Sequence, residues 1–178
     1  MMDTNEKNDT FAVPTASDED ARLLAKYAKR FTGCYPHSLD TKGRVVIPQA
    51  FREGLGNPFT IAPAQDFSAI CLYNNLEWAR VRERYEQYGN NSKIKKFLVL
   101  FDAFSYHDQE FDSQGRILVP IRIRKQILGE DKDIEISGAN NCVRITTSQS
   151  FGDLITEVLG SMDDIEGAID EADIRLQE

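Results

Sequence analysis

Long apolar runs are missing from this chain of 178 residues. No stretch approaches the ~20 apolar residues that a helix needs to cross a bilayer. Met1 to Asp20 is mostly polar and acidic and holds no apolar signal core, so a soluble protein of the cytoplasm, with no membrane association, is expected. Cysteine is scarce and odd in number: Cys34, Cys71 and Cys142. That set fits a reducing compartment better than a disulfide framework. The two histidines are His37 and His107. Cys34-x-x-His37 has no second pair at metal-ligand spacing, so neither a metal nor another cofactor is expected. The chain also lacks a Gly-x-x-x-x-Gly-Lys phosphate loop and a Gly-x-Ser-x-Gly elbow. With them go the most recognisable signatures of nucleotide and acyl-transfer chemistry.

The net charge of −8 argues at first against a polyanionic partner. Its distribution argues otherwise. Residues 151–178 hold nine acidic residues against Arg175 alone. Residues 31–150 hold fourteen acidic and fifteen basic residues. Between Asp112 and Lys125, Arg116, Arg122, Arg124 and Lys125 face one carboxylate, that of Asp112. Global charge governs solubility, whereas local charge decides whether a phosphate can dock.

What the chain has instead is a repetition. Asp40-Thr41-Lys42-Gly43-Arg44-Val45-Val46-Ile47-Pro48 returns 72 residues later as Asp112-Ser113-Gln114-Gly115-Arg116-Ile117-Leu118-Val119-Pro120. Arg52 and Arg124 follow the two prolines at equal distance. Two units related by a pseudo-twofold are implied, each presenting an arginine beside a tight turn. In each turn the aspartate can accept backbone N–H bonds from the residues that follow. The glycine supplies positive φ without steric cost. The arginine leaves where the next strand begins and offers a planar fork of donors suited to phosphate or a guanine edge. Asp40, Gly43, Asp112 and Gly115 are therefore read as turn formers. The competing structural reading pairs Arg44 and Arg116 with carboxylates across the barrel.

Hydrophobic periodicity orders the remainder. Residues 1–16 read as disordered. Ser17-Asp18-Glu19-Asp20 opens a helix carrying Leu23, Leu24, Tyr27 and Phe31. The first unit then reads strand Tyr35–Leu39, strand Val45–Ile47, helix Gln49–Leu55, and strands Phe59–Ala62 and Ala69–Tyr73. A helix Leu76–Tyr88 follows, with Leu76, Ala79, Val81 and Tyr85 inward. Ser92 caps another helix to about Phe104, whose run Phe97–Phe101 is apolar on more than one face, so that the helix is expected to be buried, whether on the body or against another subunit. The second unit repeats the order: strands Tyr106–Phe111 and Ile117–Val119, helix Ile121–Leu128, strands Asp133–Ser137 and Cys142–Thr146, and a helix from Ser150. Beyond about Met162 an acidic tail frays or extends from the core. The fold class expected is α+β, a pseudo-symmetric β-barrel with helices on its rim. Its segments are an N-terminal extension (1–30), a first unit (31–105), a second (106–160) and a tail (161–178).

Several of these residues together resemble a known family. Phe31-x-Gly33-x-Tyr35-x-His37-x-x-Asp40-x-Lys42-Gly43-Arg44, Ile47-Pro48, Phe51-Arg52, Leu72-Tyr73, Glu77-Trp78, Asp112-x-Gln114-Gly115-Arg116-Ile117, Val119-Pro120 and Gly138 resemble the MraZ proteins over about residues 31–155. The resemblance implies the swapped-hairpin barrel of the wider AbrB-like group. It implies a sequence-specific DNA-binding regulator, a repressor of a bacterial division and cell-wall gene cluster. Such a protein acts as a ring-shaped homo-oligomer on promoter direct repeats, in the cytoplasm at the nucleoid. By position it assigns DNA contact to Lys42, Arg44, Arg52, Arg116 and Arg124. Gln114 stands where the second turn would carry a lysine, and Thr146 where many members carry an aromatic. A protein-interaction scaffold without DNA affinity is the alternative. A hydrolase using Asp40 and Asp112 is disfavoured, since a turn and an arginine beside each carboxyl hold it as an anion.

Overall fold

The computed structural model describes residues 17–28, 30–88 and 91–177. The expected disorder of residues 1–16 lies outside these. The first helix, α1 (Asp18–Tyr27), starts with a capping box in which Ser17 and Asp20 satisfy each other's backbone N–H groups. Phe31, assigned by periodicity to that helix, instead forms a bridge with Asn140 and is buried. The first unit follows as β1 (Cys34–Ser38), β2 (Arg44–Val46), α2 (Gln49–Leu55), β3 (Phe59–Pro63) and β4 (Ile70–Tyr73). Helices α3 (Asn75–Glu86) and α4 (Ser92–Ala103) lead to the second unit. That unit comprises β5 (Tyr106–Gln109), β6 (Arg116–Leu118), α5 (Ile121–Ile127), β7 (Asp133–Ala139) and β8 (Cys142–Thr147). Helices α6 (Ser148–Gly160) and α7 (Met162–Gln177) complete the described chain.

The strands form two antiparallel layers. One is six-stranded, in the order β1-β7-β8-β4-β3-β5, and the other is the ribbon β2-β6. Exchanging the units, β1 with β5, β3 with β7 and β4 with β8, turns the six-stranded order into its own reverse. The pseudo-twofold therefore passes between β4 and β8. The opening strand of each unit pairs with the other unit's hairpin, β1 with β7 and β5 with β3. Neither ~50-residue half could close its core alone. Val45, Ile47, Phe51, Phe59 and Leu72 of the first unit share one cluster with Ile117, Val119, Ile123, Ile136 and Val143 of the second.

Close approach explains one further glycine. Gly138 N–H donates to the Gly33 carbonyl at 2.8 Å, and a methyl at Gly138 would overlap the backbone of Phe31 and Thr32. Gly138→Ala should lower the thermal midpoint by several degrees, since backbone has no rotamer with which to yield. A midpoint within one degree of the parent's would contradict that packing.

The inward face of α3 needs correcting. Leu76 and Ala79 are exposed, whereas Trp78 and Tyr85 are buried and Val81 is half-buried. Trp78, Val81 and Tyr85 share the three-and-four spacing of a single face, and Leu76 belongs to another phase. The cap of α4 is Asn91, whose side chain accepts from Lys93 and Ile94 N–H; Ser92 lies inside the helix. Thr147, not Ser150, caps α6. Within α4, Phe101 is buried and Phe97 and Leu98 half-buried, but Val99 and Leu100 are exposed, so a single chain covers one side of the helix only.

Candidate nucleic-acid interface

The two repeated turns have the same geometry to within 0.1 Å. In the first, Asp40 Oδ1 accepts from Lys42 N–H at 2.8 Å and Arg44 N–H at 2.9 Å, while Arg44 Nε donates to Asp40 Oδ2 at 2.7 Å. In the second, Asp112 Oδ1 accepts from Gln114 and Arg116 N–H, both at 2.9 Å, and Arg116 Nε donates to Asp112 Oδ2 at 2.7 Å. Gly43 and Gly115 take φ of 78° and 72°, the conformation for which glycine was expected at each position. Each arginine thus pairs with the carboxylate of its own turn, rather than with a more distant one. Its terminal guanidinium nitrogens make no hydrogen bond to the described residues.

The backbone bonds hold Asp40 well below the ordinary carboxylate value of 3.8, at about 2, with the Arg44 N–H contributing most. Asp112 is lowered for the same leading reason, the N–H of Arg116. The guanidiniums, which suggested this anionic character from sequence, contribute less than the backbone. A folded value below the unfolded one means that the carboxylate's contribution is complete above pH 3.8 and disappears as pH falls towards 2. The amide signals of Lys42 and Arg44 should therefore stay fixed from neutral pH to about 4 and titrate with a midpoint near 2. A midpoint at 3.8 or higher would show the turn to be open in solution.

Pairing of the ribbon sets the direction of the arginines. Arg44 lies opposite Leu118, Val45 opposite Ile117 and Val46 opposite Arg116, a register symmetric about its central pair. Because alternate residues share a face, Val45 and Ile117 point inward, each 2% exposed. Arg44, Val46, Arg116 and Leu118 share the outer face, where both aliphatics are exposed and both arginines half-exposed. Each unit also clasps the other: Ile47 N–H donates to the Gly115 carbonyl and Val119 N–H to that of Gly43, both at 3.0 Å. Val46 and Leu118 were not singled out from sequence. Their signal was the alternation within each aliphatic triplet, which becomes visible once one face is known to be covered.

Arg52 and Arg124 lie behind the turns. A methyl on Gly115 would collide with the Arg52 guanidinium, and one on Gly43 with the Nη1 of Arg124. Each arginine therefore backs the turn of the opposite unit. Arg52 is fixed further by donating from Nε to the Ile47 carbonyl at 2.7 Å. The first turn thus carries Lys42 and Arg44 and is backed by Arg124, and the second carries Arg116 and is backed by Arg52. All the residues expected at the site are thus brought to one ribbon and its two turns. Among the described residues, no group of three or more His, Cys, Asp or Glu side chains is placed to share a metal ion, and no helix is long and apolar enough to cross a membrane. Cys34, Cys71 and Cys142 are free thiols.

Fold and site together define a tandem-repeat protein whose interleaved units present one exposed, arginine-bearing β-ribbon. Comparison with known proteins gives this class its family. A profile described as "MraZ protein, putative antitoxin-like" matches residues 30–101 and 105–171, and the chain belongs to the MraZ family. A protein of Acetivibrio thermocellus named transcriptional regulator MraZ is 36% identical over 115 residues, covering 65% of this chain and 79% of the relative. One of Pediococcus pentosaceus with the same name is 33% identical over 135 residues, 76% of this chain and 93% of its own. A third, from Halothermothrix orenii, is 29% identical over 144 residues, 81% and 99% of the two chains. All three are named as regulators, in keeping with the expectation that the chain is not an enzyme.

Proposed function

We propose that this protein is a DNA-binding transcriptional regulator that inserts the β2–β6 ribbon into the major groove. The observation that carries the reading is the shared outward face of Arg44, Val46, Arg116 and Leu118. A two-stranded ribbon fits the width of a major groove. There, guanidiniums can reach phosphate oxygens or the O6 and N7 of guanine, and aliphatic side chains can meet thymine methyls. Arg44, Arg116 and Lys42 make the contacts. Arg52 and Arg124, half-exposed behind the turns, hold them rigid and add positive charge close to the backbone phosphates. The sheet and ribbon work as one swapped-hairpin barrel built from both repeats.

One ribbon offers few contacts, so useful affinity needs several copies. Linked sites raise the effective concentration of each further contact. The protein is accordingly read as a ring-shaped homo-oligomer on promoter direct repeats of a bacterial division and cell-wall gene cluster. It would act in the cytoplasm at the nucleoid and repress by occupying the promoter.

The test is binding to a duplex from just upstream of the protein's own gene, followed as salt is raised. With Lys42, Arg44 and Arg116 each neutralising one phosphate, log K should fall against log salt with a slope of about −2.7 per engaged subunit. The two turns differ at one exposed position, Lys42 against Gln114. Lys42→Gln should make the slope shallower by about 0.9 per subunit, and Gln114→Lys steeper by the same amount. Equal slopes in all three proteins would remove that position from the interface. A protein that assembles but does not bind DNA at low salt would be an interaction scaffold.

A further inference from the structure

We propose that subunits join head to tail, the acidic helix α7 of one copy lying on the basic outer face of α4 in the next. This rests on the homo-oligomer reading above and assigns it a pair of surfaces.

Helix α7 carries an apolar seam of Met162, Ile165, Ile169, Ala172 and Leu176. Their separations of three, four, three and four residues are those of a helix that packs along a second helix. The preceding helix α6 ends at Gly160 and leaves Val158 and Ile155 uncovered as well. Ile155, Val158, Met162, Ile169 and Leu176 are all exposed, Leu176 to 84%. Helix α7 makes no extended contact with its own sheet or with α4. A helix of 16 residues gains most of its stability in water from packing its apolar face, so a partner is required.

Charge selects the partner. On the helical wheel Glu166 and Asp173 line one edge of the seam with Asp170 beyond them, while Ala168 and Arg175, the one basic residue of α7, line the other. Packing two such arms side by side would crowd carboxylates. Helix α4 offers the opposite pattern. Val99 is 73% and Leu100 50% exposed. Lys93, Lys95 and Lys96 are exposed on the same outer surface, and none of the three takes part in an ion pair among the described residues. Asp102, the one acidic residue of α4, is already paired with Arg82. An apolar seam on an acidic helix and a pair of exposed aliphatics among three ammonium groups therefore stand uncovered among the described residues of one chain. Since the two surfaces differ, joining them is heterologous, and each copy keeps one of each free for the next. Such a contact closes into a ring when its rotation permits.

Two charge-reversed proteins test this: Glu166→Lys with Asp170→Lys and Asp173→Lys, and Lys93→Glu with Lys95→Glu and Lys96→Glu. Mass is measured by light scattering in 0.1 M salt, with circular dichroism to verify folding. The parent should be an oligomer, and each variant alone should fall to the monomer mass. An equimolar mixture of the two should regain the parent's mass, because each reversed surface then meets its complement. A chain carrying all six changes should regain it too. An oligomeric parent with both variants unaffected would overturn the assignment of surfaces and leave the homo-oligomer standing. Loss in each variant without recovery in the mixture would overturn it as well. A monomeric parent would remove the homo-oligomer reading itself.

Discussion

Replacing Arg44 and Arg116 together with glutamate lowers affinity for promoter DNA by at least ~100-fold. Charge-assisted hydrogen bonds are worth about 1.5–3 kcal/mol each, and each tenfold in affinity corresponds to about 1.4 kcal/mol. Two lost contacts alone would give that factor, and two new carboxylates facing phosphate add repulsion. The fold should survive, because both side chains lie on the solvent side of the ribbon and each is paired only within its own turn. Exposed pairs of this kind contribute little to stability. The measurements are fluorescence anisotropy with labelled duplex and a thermal melt of the free protein. Unchanged binding with an unchanged melt would remove both arginines from the interface.

The largest expected loss of stability comes from Phe51→Ala, about 3–5 kcal/mol. Phe51 is 1% exposed. Its ring meets the edges or faces of Phe31 and Tyr35 at 6.0 and 5.4 Å between centroids, both near perpendicular. It therefore ties α2 to the segment that enters β1, and β1 in turn pairs with the second unit. Truncation leaves a cavity at the junction of both repeats rather than inside one. At about 2–4 °C per kcal/mol for a chain of this size, the thermal midpoint should fall by roughly 10 °C. A fall of only one or two degrees would mean that the core closes around the gap.

The turns, the order of elements and most boundaries were legible in the sequence because their causes are local. Asp-x-x-Gly-Arg folds on its own hydrogen bonds, and β-branched runs between Gly and Pro extend wherever they occur. The helix from Gln49 to Leu55 was read with its observed limits, since Pro48 can precede a helix and Gly56 can end one. The interleaving was not legible from periodicity. Cys34 pairs with Ser137, a partner about a hundred residues away, and only the family resemblance implied such an exchange. The position of Arg52 and Arg124 behind the opposite unit's glycines has the same cause, because the contact crosses between repeats. The inward set of α3 was misread through Leu76, whose apolar side chain sits on the exposed side while Trp78 fills the core. Composition alone suggested a buried α4, yet the exposure of Val99 and Leu100 depends on which face the sheet leaves uncovered.

Photocross-linking tests the ribbon as the reading surface most directly. A benzophenone side chain is placed at Leu118 in one protein and, as a control, at exposed Leu76 on α3 in another, and each is irradiated with duplex DNA from upstream of the gene. Covalent protein–DNA product from position 118 and none from position 76 is the result this account predicts. Product from position 76 with none from 118 would contradict it.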